Sequence, residues 1–297
     1  MVLKPLKPGD AISLVAPSSP FEAEKYDRGC EILRDAGYRL MPGKHAFART
    51  EYLAGADAGR AEDLIAALAS PDSAAVVCIR GGYGSGRLLP LLPFGALRKT
   101  PKLFLGHSDI TFLHLAFFSR MGWITLHGPN LTGIGSGPEC AASALAALSG
   151  QSRFEWEFGE DQVIKPGAAS GVLLGGNLTC IAHLVGTPYF PDLTGAILLI
   201  EDRGEPLYRL DRILTQLRLC GILQGLGGIV LGDFENCGEP EKVRRMVEER
   251  VEPFSFPVVQ GLPFGHGARN DVVPLGTPFL LDTAVRTFRV LRRPFVD

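Results

Sequence analysis

The strongest constraint on this chain is a rhythm in its first half, where short, continuously apolar runs alternate with amphipathic segments. Residues 11–16 read AISLVA, residues 74–79 AAVVCI and residues 102–105 KLFL. Such runs, bounded by turn-forming residues, describe strands buried on both faces, since a half-exposed strand would alternate apolar with polar. Between the first two runs, residues 21–36 place Tyr26, Cys30, Leu33 and Ala36 close to helical spacing, with Gly37 where a C-cap glycine belongs. Further helices are expected over 60–69, 110–121 and 139–148, and short strands near 38–41 and 123–126. Strands alternating with helices predict an α/β fold, with a mostly parallel sheet covered by helices on both faces.

The rhythm changes near residue 149. Residues 151–169 are polar and irregular; strands are then expected at 171–174, 196–200 and 228–231, and helices at 208–221 and 241–251. The tail, 272–296, holds strand-like pieces broken by Pro274, Pro278 and Pro294. A length of 297 residues suits two domains. The expected division is 1–149, a linker over 150–166, and a smaller α/β domain over 167–297.

Composition excludes several classes of function. Thirty Lys and Arg against 32 Asp and Glu leave a net charge of -2, with no basic footprint for nucleic acid and no polybasic membrane anchor. No apolar run approaches the length of a membrane helix, roughly 20 residues. The apolar stretch near the N-terminus is short and directly preceded by Asp10, unlike a secretory signal, so the expected compartment is the cytoplasm. The six cysteines form no C-x-x-C pair and read as small buried hydrophobes rather than a zinc site or a disulfide framework. No H-E-x-x-H, G-x-x-x-x-G-K-[ST] or early G-x-G-x-x-G occurs, so neither a metal nor another cofactor is expected.

In open parallel sheets, sites lie beyond the carboxyl ends of the strands. Two such ends stand out: Arg80-Gly81-Gly82-Tyr83-Gly84, and Gly106-His107-Ser108-Asp109-Ile110-Thr111 leading into a helix. A serine on a tight strand-to-helix turn presents its hydroxyl above the sheet, and the following amide, at Asp109, can stabilise an oxyanion. The same serine also reads as a helix N-cap, and Ile110 stands where a lipase-type elbow has its second glycine. Arg80 can pair with a substrate carboxylate or with a neighbouring acid. Among the histidines, His114 and His183 lie in apolar helical contexts and His107 is adjacent to Ser108. His127 ends a strand where it can line a cleft, and His266 is flanked by glycines on a loop. Glu201 and Asp202 follow the buried run 196–200 and place an acid at a strand end.

Taken in order, these segments resemble the LD-carboxypeptidase family of serine peptidases, the muramoyltetrapeptide carboxypeptidases. The resemblance runs nearly the whole length, from Gly9-Asp10 and Ala16-Pro17-Ser18 through the two motifs above, His127-Gly128-Pro129 and Gly175-Gly176-Asn177-Leu178. It continues through Glu201-Asp202, Tyr208-Arg209-Leu210-Asp211-Arg212 and Gly261-Leu262-Pro263-Phe264-Gly265-His266. It implies Ser108 as nucleophile, Glu201 as acid and His266 as base, with backbone amides of Asp109 and Gly82 forming the oxyanion hole. Arg80, Tyr83 and His127 are the substrate-binding candidates. The implied fold is an N-terminal domain similar to class I glutamine amidotransferases plus a smaller C-terminal domain, as a homodimer. The implied substrate is a murein tetrapeptide losing its terminal D-Ala in cytoplasmic cell-wall recycling. Two positions depart from the pattern, His107 where an aromatic residue is common and Asn130 where methionine often follows His-Gly-Pro.

Two other functions fit a similar sequence. One is a hydrolase of the same family that cleaves adenylate-like antibiotics, whose members tend to carry an aromatic-bearing insertion. The other is a non-catalytic muropeptide binder, which has no need of all three of Ser108, Glu201 and His266. An α/β-hydrolase esterase is disfavoured by the missing second glycine.

Overall fold

A computed structural model describes residues 2–296. The first sheet takes β1 (Ala11–Val15), β2 (Arg39–Pro42), β3 (Ala75–Cys78), β4 (Leu103–Gly106) and β5 (Thr125–His127). The second takes β6 (Glu155–Glu157), β7 (Val163–Lys165), β8 (Ala168–Asn177), β9 (Ile197–Arg203), β10 (Gly228–Glu235), β11 (Val258–Val259), β13 (Pro278–Asp282) and β14 (Thr287–Val290). The remaining strand, β12 (Val273–Leu275), comes from far along the chain yet belongs to the first sheet. The strand orders are β12-β5-β4-β3-β1-β2 and β6-β14-β13-β8-β9-β10-β11-β7. The result is a mixed α/β fold built on two sheets.

β1, β3 and β4 are buried at every position, as their unbroken apolar runs require. They pair in parallel with one another and with β2 and β5. In the second sheet β8, β9, β10 and β11 are parallel, and antiparallel strands extend it on both sides. This sheet has eight strands against six in the first, so by strand count it is not the smaller.

Three features depart from the sequence reading. The segment 150–166, expected to be a linker, contributes β6 and β7 to opposite edges of the second sheet. Each has three residues, too short a run to mark a strand by itself. The tail does not stay within its own half, because β12 pairs antiparallel with β5. Pro274 is tolerated there because β12 is an edge strand and a missing N–H costs no ladder bond on the open side. A helix at Leu178–Leu184, for which the sequence offers only the helical context of His183 and no bounds, follows β8 directly and is capped by the Asn177 side chain, which accepts from the Cys180 amide at 3.0 Å.

Both buried apolar clusters draw on both halves of the chain. One joins Leu14 and Val77 to Leu199 and Phe288, the other Phe104 and Leu113 to Ile181 and Leu198. The halves are further tied where the Asn177 amide donates to Thr111 Oγ1 at 2.9 Å. Five of the six cysteines are buried and all six are unpaired. Among the described residues, no helix is long and apolar enough to cross a membrane.

Candidate active site

The strand β4 ends at Gly106, and two residues later Ser108 adopts φ +66°, in the left-handed region that costs a side-chain-bearing residue of order 1–3 kcal/mol. A 3-10 turn, Ser108–Ile110, then feeds the helix Thr111–Met121. The Ser108 hydroxyl caps nothing; it lies 3.0 Å from His266 Nε2. Of the two readings open for this serine, the geometry selects the exposed turn rather than the cap.

His266 sits in the loop between β11 and β12. Its Nδ1 lies 2.6 Å from Glu201 Oε2. Glycine at 265 follows from that contact, since its φ is +118° and a Cβ there would sit 2.6 Å from the same Glu201 oxygen. On the other side the Gly267 amide donates to Asp233 Oδ2 at 3.0 Å, and a Cβ on Gly267 would overlap that carboxylate. The Gly265 amide donates to Asn270 Oδ1 at 3.1 Å. The glycines flanking the histidine therefore let two carboxylates close on the loop.

Glu201 lies within β9 and has no exposed surface. Its second oxygen, Oε1, is buried without a partner. Burial pushes the carboxyl up from its ordinary value, and the neighbouring His266 opposes that rise only in part. For His266, burial acts to lower the imidazole, but the charge and hydrogen bond of Glu201 outweigh it and hold the ring above its ordinary value. Successive residues on a strand face opposite ways, and Asp202 accordingly turns from His266. It accepts from Asn177 Nδ2, the Thr179 amide, Thr179 Oγ1 and the Arg203 amide at 2.8–3.0 Å, which ties down the start of the helix Leu178–Leu184.

The Gly81-Gly82 turn lies against Ser108: a Cβ on Gly81 would be 2.8 Å from Ser108 Cβ. Ser19 holds this turn, donating its amide to Gly81 O at 3.2 Å and accepting the Tyr83 amide on Oγ at 3.1 Å. Ser108, Asp109, Gly82 and His266 share the wall of a cleft of about 1100 Å³ with Arg80 and Tyr83. Arg80 donates to Pro20 O at 2.6 Å, and Tyr83, more than half exposed, meets Tyr52 edge to face with ring centroids 5.7 Å apart.

His127 does not belong to that wall. It is fully buried, β5 is flanked by strands on both sides, and neither ring nitrogen has a protein partner. Its ring sits 6.2 Å from that of His107 and 6.1 Å from that of His114, and burial pushes its pKa well down. A position at a strand end does not say which face the side chain takes, and here it is the interior. His107, one of the two departures from the family pattern, lines the cleft with its ring 5.0 Å from that of His266. The other departure from the family pattern is its neighbour, since Asn130 Oδ1 accepts the His107 amide at 3.2 Å. His114 is a core histidine bonded to Thr125 Oγ1 and Gly106 O, with burial lowering its pKa to about 4. Asn177, Thr179 and Glu205 also line the cleft; Asn177 falls in the Gly175-Gly176-Asn177-Leu178 motif, whereas no local motif marks Thr179 or Glu205. Among the described residues, no group of three or more His, Cys, Asp or Glu side chains could hold a metal ion.

A two-sheet α/β scaffold that sets a strained serine against a histidine, itself bonded to a buried acid, has the geometry of the serine-hydrolase class. The LD-carboxypeptidase N-terminal domain pattern matches residues 12–128 and its C-terminal domain pattern residues 170–281. The chain belongs to the LD-carboxypeptidase family. It is 41% identical to a putative carboxypeptidase of Streptomyces coelicolor over 97% of this chain and 95% of that protein. It is 37% identical to the murein tetrapeptide carboxypeptidase of Pseudomonas aeruginosa over 91% of this chain and 92% of that one. The crystal structure of muramoyltetrapeptide carboxypeptidase from Oxalobacter formigenes, 31% identical, superposes with a TM-score of 0.83 over 94% of this chain and 97% of that one. The microcin C7 self-immunity protein MccF shares the fold, with a TM-score of 0.90 at 23% identity over 99% of both chains in its complex with glutamyl sulfamoyl guanosine.

Proposed function

We propose that this protein is a serine LD-carboxypeptidase that removes the terminal D-Ala from murein tetrapeptides. The observation that carries the reading is His266 bridging Ser108 and Glu201 at 3.0 and 2.6 Å in a chain of this family. In the reaction, His266 Nε2 takes the Ser108 proton as Oγ attacks the carbonyl carbon of the D-Ala amide. The backbone amides of Asp109 and Gly82 receive the developing oxyanion. Collapse breaks the C–N bond, and His266 returns the proton to the leaving D-Ala amine. Water, deprotonated by His266, then hydrolyses the Ser108 ester. Glu201 holds Nδ1–H and balances the imidazolium.

Arg80 and Tyr83 are assigned to substrate binding from their place in the cleft, and His127 is withdrawn from that role. We read residues 1–149 as the nucleophile-bearing half, similar to class I glutamine amidotransferases. Acid and base come from 167–297, and 150–166 joins the second half by way of its strands. The enzyme is assigned to the cytoplasm, acting as a homodimer without metal or other cofactor. Mass spectrometry of purified muropeptides after incubation tests the reading. Tetrapeptides should lose one alanine while tripeptides and pentapeptides stay intact. No loss from any tetrapeptide would overturn it, and cleavage of an aminoacyl sulfamoyl adenosine instead would move the assignment to the antibiotic-cleaving branch.

A further inference from the structure

Two buried charges that touch no reacting atom grip the same pair of loops from opposite sides. Arg60, on the helix Asp57–Ala69, is 2% exposed. Its Nη1 donates to Pro17 O and, at 3.0 Å, to Gly84 O, while Nη2 pairs with Asp57. Its Nε donates to Gly55 O at 3.3 Å. The Asp109 carboxylate, on a residue 3% exposed, accepts from Ser18 Oγ at 2.6 Å and from the Ser85 amide at 2.7 Å. The Ser85 hydroxyl returns to Asp109 O at 2.6 Å. Consecutive residues of each loop, 17–18 and 84–85, are thus held by a cation through a carbonyl and by a carboxylate through a donor.

Between these grips lies the turn that abuts Ser108. Ser19, next to Ser18, bonds Gly81 and Tyr83, and Gly84, next to Ser85, closes the turn. Stabilising an oxyanion requires donors fixed before charge develops, since any that must rotate into place lose their advantage to reorganisation. Hydrogen bonds with one charged partner are about twice as strong as neutral ones. We infer that Arg60 and Asp109 are positioning residues, a buried cation–carboxylate clamp that sets the Gly82 amide for the oxyanion of the reaction. This rests on the reading of Gly82 as an oxyanion donor.

The test uses the full-length protein with Ser18→Ala, Asp109→Asn, Arg60→Met and Arg60→Lys. Three quantities are measured: kcat and KM on a tetrapeptide, affinity for the tripeptide product, and the rate at which a small alkyl fluorophosphonate labels Ser108. Labelling, in which Oγ displaces fluoride from phosphorus, needs the oxyanion donors but no peptide recognition. Losing an oxyanion donor outright costs ~10²–10³ in kcat, so a displaced one should cost less: roughly fivefold for Ser18→Ala and about thirtyfold for Asp109→Asn. Labelling should slow in parallel, with KM and tripeptide affinity little changed, and Arg60→Lys should recover part of what Arg60→Met loses. If the Arg60 variants do not fold, Ser18→Ala and Asp109→Asn decide the matter alone. Variants that lose thermal stability yet label at the wild-type rate would overturn the clamp, as would equal losses of labelling and tripeptide binding. A wild-type protein inert to tetrapeptides would instead refute the proposed substrate, and the labelling rates would still decide the clamp.

Discussion

The half of the molecule that supplies the proposed nucleophile and the half that supplies its proposed base are organised differently. Ser108 needs only what lies beside it in sequence: a buried strand, a short 3-10 turn and a helix. His266 depends on what lies far away. Its loop runs from β11 in the second sheet to β12 in the first, and its ring is set by Glu201 on β9, while Asp233 on β10 holds the next residue. A nucleophile can be encoded by a local motif, whereas a base placed this way exists only once the sheets have packed. Substitutions that disturb the second half should therefore cost activity before they cost the fold.

The sharpest way to break this contrast is at the serine. Ser108→Ala should lower kcat on a tetrapeptide by ~10⁴-fold or more, with the melting temperature nearly unchanged, because its hydroxyl supports no other contact. Turnover near the wild-type rate would remove the nucleophile assignment. On the other half the two adjacent acids should separate cleanly. Glu201→Gln cannot balance the imidazolium and should cost at least ~10²-fold in kcat, below the ~10⁴ seen for such a loss in other triads. Asp202→Asn should keep most activity but lose about 1–3 kcal/mol of stability in denaturant titration, because its carboxylate accepts four bonds at a helix start. The reverse ranking would mean the wrong carboxylate has been chosen.

Gly265→Ala probes the loop itself. The added methyl would meet Glu201 Oε2, and the φ of +118° is one only glycine readily adopts, so we expect kcat to fall about tenfold or more with a strain of order 1–3 kcal/mol. Wild-type kinetics for this variant would show that the carboxylate contact is not what sets the ring. The smallest effect is in pH. The neutral imidazole is the active form, and its folded pKa is raised, so kcat/KM should fall on acidification with a midpoint above the ordinary histidine value. Stability runs the other way. A raised histidine pKa contributes stability that is fully present below the unfolded value and is lost as pH rises through the folded one. A midpoint at or below the ordinary value, or one that does not drop in Glu201→Gln, would contradict the Glu201 contact as its cause.

Much of this architecture is legible from residue order, and the parts that are not have physical reasons. β1, β3 and β4 announce themselves because strands buried on both faces must be apolar throughout. Ser108, Glu201 and His266 stand out as a serine on a turn, an acid at a strand end and a glycine-flanked histidine. Their mutual distances follow only from packing. β6 and β7 are too short to mark strands by themselves, and β12 carries a proline that reads as a break. That His127 turns inward while His107 faces the cleft is not legible, because local spacing cannot say which way an imidazole at a strand end points. The Arg60–Asp109 clamp joins residues whose partners lie from three to 91 positions away, and no motif encodes it.

The pairing of β12 with β5 also bears on how the protein is made. As the chain leaves the ribosome, β5 is an open edge of the first sheet, and it stays so until the strand that covers it, about 150 residues further on, has been synthesised. The histidine loop directly precedes that covering strand, so His266 emerges shortly before it. A nascent chain therefore carries Ser108 without its proposed base until His266, 158 residues further on, has emerged. The last strand of the first sheet in chain order also anchors the loop that carries His266, so in the proposed mechanism the chain passes from inert to reactive only as the β12–β5 pairing closes.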